Sequence, residues 1–136
     1  METSTHQDHV IAHVIGASVL GYFVHDEAAH LVLDIGFVWT VYLDGQMGLL
    51  PQGVAISELS ADTEFKSRVS RDVDQLQHDL DTMALEQVSP ALVACSITEV
   101  GLFASTDRYR IVVQGEQAAL IIETSISTGA IEISAG

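Results

Sequence analysis

Residues 31–45 read LVLDIGFVWTVYLDG, and the period of that stretch decides how the chain folds. Leu31, Leu33, Ile35, Phe37, Trp39, Val41 and Leu43 occupy alternate positions, with Asp34, Gly36, Thr40 and Tyr42 among the residues between them. Successive side chains of a strand point to opposite faces, so this alternation predicts one long strand with a single buried face. Asp44-Gly45 closes it. Both residues accept the positive φ angles of a two-residue type I′ turn, which predicts a hairpin into 46–50, and Pro51 stops that strand or confines it to an edge.

Working outward, residues 17–25 are expected to pair antiparallel with 30–37 across a four-residue loop at 26–29. That register sets Leu20, Tyr22 and Val24 beside Ile35, Leu33 and Leu31, so both strands share one apolar face. It also sets His25 directly opposite His30 on the other face. Near the C-terminus, 92–103 contains a further strand and 105–108 a turn. Tyr109, Ile111 and Val113 alternate, and a turn at 115–116 would pair them with Ile122, Leu120 and Ala118. A second tight turn at Thr128-Gly129 sets Ile131 and Ile133 beside Ile126 and Thr124, completing a meander.

The middle of the chain changes period. Phe65, Val69, Val73, Leu76, Leu80 and Met83 recur at steps of three and four, which predicts one apolar stripe on a helix over 62–85. Ser60 or Asp62 caps its start, and Glu64–Arg68 and Arg68–Asp72 are i,i+4 pairs. Asp72, Asp74, Asp79 and Asp81 form its exposed arc. Residues 1–8 are polar and expected to be flexible, and 9–15 fit either a short helix or the start of a strand. Residues 1–136 therefore read as a single α+β domain, an antiparallel sheet of hairpins and a meander with one long central helix packed on it. The pattern leaves open whether the strands form one sheet or two.

The chain has 136 residues, 48% of them hydrophobic, with a formal net charge of -14. Residues 1–65 hold nine acids and no lysine or arginine; Lys66 is the first base. Such a surface repels phosphate backbones and anionic membranes, and it favours a basic protein partner or divalent cations. High apolar content beside that charge points to buried surface beyond one small core, as in a homo-oligomer. Cys95 stands alone, which precludes an intramolecular disulfide and suits a reducing, cytoplasmic setting. It lies in an apolar run, where a thiol is ordinarily inert core. The apolar run at 10–24 follows Glu2 and Asp8 rather than basic residues and contains His13, unlike a secretory leader.

Chemistry-bearing motifs are sparse. No Walker loop, C-x-x-C pair or G-x-S-x-G elbow is present, and no cofactor is expected. Residues 25–30, HDEAAH, miss the H-E-x-x-H spacing by one residue. On a hairpin, however, His25 and His30 would face each other and could share a metal with Glu27 as a third ligand. His9 and His13 have the i,i+4 spacing of a chelating pair if their segment is helical, with His6 able to approach. Asp34 would be a buried general base only if it turned inward; alternation points it away.

Three readings follow. The leading one is an acidic, non-enzymatic protein-binding or regulatory module, inhibitor-like or chaperone-like, using an apolar sheet or helix face. The alternative is a metal-dependent hydrolase or metal-binding regulator centred on the His25–His30 hairpin. A further reading is a structural or small-ligand-binding oligomer.

Overall fold

In the computed structural model, which describes residues 4–78, 85–91 and 96–135, the stretch at 31–45 is folded back on itself. The one long strand expected over 31–43 is two strands, β2 (Ala28–Leu33) and β3 (Phe37–Tyr42), joined through a turn in which Gly36 takes φ +80°. Leu31 pairs with Trp39 and Ala29 with Val41. Odd-numbered residues thus face odd-numbered partners, so the alternation runs through the bend without changing phase. A hairpin and a straight strand leave the same period-two signature.

β1 (Val19–His25) flanks β2, and β4 (Met47–Pro51) flanks β3; with β5 (Ser89–Pro90) they make a five-stranded antiparallel sheet in the order β4-β3-β2-β1-β5. The turn at Asp44-Gly45 exists, but Tyr42 N–H bonds the Gln46 carbonyl at 2.8 Å, which makes the loop 43–45, with Gly45 at φ +85°. A second sheet, β6 (Ile97–Ala104), β7 (Arg108–Gly115), β8 (Ala119–Ser125) and β9 (Ala130–Ala135), is the expected meander in sequential order. Its registers differ from expectation by two residues: Ile111 pairs with Ile122, and Thr124 with Ile131. A two-residue shift moves no side chain to the other face. Residues 92–95, including Cys95 and the first part of the strand expected there, lie outside the described residues.

Every residue of β2 is buried, which requires cover on both faces of its sheet. On one side Leu31, Leu33, Trp39 and Val41 meet Ile97, Ile111, Val113, Leu120 and Ile122 of the second sheet, with Val10 and Val14 of α1 (Thr5–Val14). The helix α1 takes in residues 5–8 of the stretch expected to be flexible. A Ser4–Gln7 capping box supplies two of its orphan hydrogen bonds. On the other side Phe23 and Val32 pack against Ile56 of α2 (Gln52–Ser57) and Val69, Val73 and Leu76 of α3 (Thr63–Gln77). The fold is α+β, as expected. Its helix α3 has 15 residues rather than the span 62–85; Leu80 and Met83 lie outside the described residues. Asp62 caps it through the Phe65 N–H at 2.8 Å.

Asp72 corrects the reading of α3 as carrying a wholly solvated acidic arc. It is 1% exposed, and its Oδ2 accepts the backbone N–H groups of Glu86, Gln87 and Val88 at 2.9, 2.6 and 2.9 Å. Arg68 pairs with Glu64 and Glu86 rather than with Asp72. Asp74 does face solvent, as expected; Asp79 and Asp81 lie outside the described residues. Three charge-assisted bonds to one oxygen tie the segment entering β5 to the helix. Asp72→Ala strands three donors and is expected to lower stability by about 3 kcal/mol in urea unfolding, whereas Asp74→Ala should stay within about 0.5 kcal/mol of the parent. Equal, small losses in both would contradict the assignment.

Candidate functional site: a two-cleft acidic end

Antiparallel hairpins return their turns to the same end in alternation, so the β1–β2 and β3–β4 turns lie together. Asp26 and Glu27 form the first, both with positive φ, 51° and 59°. His25 pairs with Ala28 across it and Phe23 with His30. The four-residue loop at 26–29 is therefore a two-residue turn, and His25 and His30 are not opposed. The tighter turn matches the twist of the flanking strands. It also moves the partner of His30 by two positions.

His25 lies on the helix side of the sheet, its ring stacked on Phe65 at 4.6 Å and its Nε2 donating to the Ser60 carbonyl at 3.3 Å. His30 is deeper. It stacks on Phe23 at 4.6 Å, its Nδ1 lies 3.0 Å from Thr40 Oγ1 in a hydrogen bond, and it is 7% exposed. Burial lowers its pKa from 6.5 to about 4, against the raising effect of a hydrogen bond to the His25 backbone. The Thr40–His30 contact is a hydroxyl–imidazole pair, but so weak a base is poorly matched to proton abstraction near neutral pH. The side chain of Asp34 is exposed and accepts the Ser18 N–H at 2.9 Å, closing a loop rather than serving as a buried base.

Two clefts meet here. One, of about 150 Å³, runs between the sheet and α2 and is lined by residues including His25, Asp26, His30, Thr40, Tyr42 and Glu58. The other, of about 500 Å³, is lined by Asp26, Glu27, Tyr42, Leu43, Asp44, Gln46 and Ile126. His25 and His30 line the first and Glu27 the second, so the three candidate metal ligands do not converge on one point. Among the described residues, no group of three or more His, Cys, Asp or Glu side chains is arranged to hold a metal ion. The β8–β9 turn adds Ile126, 47% exposed, to the cleft that Tyr42, 46% exposed, also lines. Each turn is legible in the sequence by itself, and hairpin alternation is the signal that they meet. α2, which brings Glu58 to the first cleft, is not legible, because its six residues are too few to show a period.

His30 also sets a pH dependence. Its folded pKa lies below the unfolded value, so the unfolded chain binds a proton that the native chain does not between pH 6.5 and about 4. The stabilisation from keeping His30 neutral is complete above pH 6.5 and is lost as pH falls toward 4, up to about 3 kcal/mol at 1.36 kcal/mol per pKa unit. His30→Gln should flatten this part of the stability profile in unfolding measured from pH 7.5 to 4.5; an unchanged slope would contradict the burial effect.

Comparison with protein-family models, curated proteins and solved structures finds no match to this chain.

Proposed function

We propose that the protein is an acidic, non-enzymatic protein-binding module that docks a basic partner at its two-cleft end. The observation that carries this reading is the lining of those clefts. Asp26, Glu27, Asp44 and Glu58 border them, with exposed Tyr42 and Ile126 and no lysine or arginine. Lys66 stands nearby, its Nζ on the Ser57 carbonyl at 2.8 Å, but the four acids outnumber it, and the excess gives a field that steers and orients a basic surface. The aromatic and aliphatic side chains between them offer the apolar anchors on which binding energy concentrates, and Tyr42 offers a face for a guanidinium or ammonium group. The net charge of -14 acts in the same direction over longer range. Among the described residues, no helix is long and apolar enough to cross a membrane.

A second reading, self-association, draws on the second sheet. Its inner face packs on the first sheet, and its outer face carries Phe103, Val112 and Ile121, with Phe103 56% exposed. Gly101 leaves room for the Phe103 ring, whose Cε2 would lie only 3.2 Å from an added Cβ. The same face also carries Arg110, paired with Glu123 at 3.8 Å, and Glu132 beside Glu123, so the apolar side chains form a mixed patch with charges of both signs, which suits contact with a second copy.

Asp26→Asn, Asp44→Asn and Glu58→Gln together keep the side-chain shapes while removing three charges. Capture from the native extract should yield a basic protein whose association with the triple variant is at least about tenfold slower at low salt, while Asp74→Asn with Glu132→Gln leaves it near the parent. Retention that ignores both salt and the triple variant would contradict docking at this end. Light scattering tests the second reading: a dimeric parent and a monomeric Phe103→Ser variant support it, and a monomeric parent excludes it.

A further inference from the structure

The N-terminal helix supplies a separate arrangement of histidines. His6, His9 and His13 of α1 border a groove of about 380 Å³ whose other walls are Val10, Ile35, Phe37 and Leu49. All three histidines are exposed. His6 is already committed, its Nε2 donating to the Met47 carbonyl at 2.8 Å and fastening the helix to β4. His9 and His13 are four residues apart within one continuous helix, which sets their Cβ atoms roughly 6 Å apart on one face. That is within the span of two imidazoles closing on a single ion.

We propose that His9 and His13 form a two-imidazole chelate on α1 for one borderline transition-metal ion, Cu2+, Ni2+ or Zn2+. Neutral imidazole suits these ions, whereas Mg2+ and Ca2+ prefer oxygen ligands. The acidic field of the chain raises the local concentration of any divalent cation. No third His, Cys, Asp or Glu converges on such a point among the described residues. The chelate therefore keeps open coordination positions for water, an exogenous ligand or a second chain. It is independent of the acidic clefts and lies on a different element.

Isothermal titration with each metal salt alone tests the site. One Cu2+ binds per chain, affinity follows Cu2+ above Ni2+ above Zn2+, and lowering the pH toward 5 weakens it because the ligating imidazoles must be deprotonated. His9→Ala and His13→Ala each lower Cu2+ affinity at least tenfold, while His78→Ala, on α3's C-cap, changes it by less than about threefold. Alanine favours the helix, and circular dichroism of each variant confirms that α1 is retained. Parent-like Cu2+ affinity in the His9→Ala/His13→Ala double variant, or no binding by the parent at millimolar Cu2+, would overturn the assignment.

Discussion

β2 is the constraint on which the rest of the structure depends. All six of its residues are buried, so neither face of the first sheet can be left to solvent at its centre. The two faces are covered differently. Leu31 and Leu33 lie in the core with the second sheet and α1, while Val32 lies in the core with α2 and α3. The burial that stabilises the domain therefore occurs in two cores sharing one sheet. This arrangement accommodates the high apolar content of the chain without a membrane-spanning helix among the described residues.

Polar groups inside this arrangement are held by specific partners. Asp72 gathers three backbone donors, and His30 is paired with Thr40 and stacked on Phe23. Both stand where a charged or polar residue would otherwise destabilise the packing between sheet and helices. The exposed acids at 26, 27, 44 and 58 are different: they border open clefts, although Asp44 also accepts the Gln46 N–H at 3.1 Å within its turn. His30 sustains the fold and also lines the first cleft, beside the acids proposed to meet a partner.

Sequence showed which residues share a face more clearly than which residues pair. A period of two distinguishes inside from outside but is unchanged by a two-residue slip, and the β7–β8 and β8–β9 pairings differ from expectation by that amount. The same slip separates His25 from His30, so the fold class survived while the metal geometry built on the expected register did not. Asp72 was misread for another reason: its partners at 86–88 arrive from a segment whose return to α3 has no local signature. For His9 and His13 the helix was the missing condition, and α1 supplies it.

The two-cleft end depends on the frame behind it. β2 and β3 bring their turns to fixed places only if both faces of the first sheet remain covered, and the two clefts follow from that placement. Native-state amide hydrogen exchange tests this most directly, because amides buried on both faces exchange through global opening while open edges exchange through local fraying. The hydrogen-bonded amides of β2, together with those around Trp39 and Val41, should exchange at the slowest rates in the molecule, and those of β9 markedly faster. Rapid exchange throughout β2, with the slowest amides in β9, would contradict a fold organised around this strand.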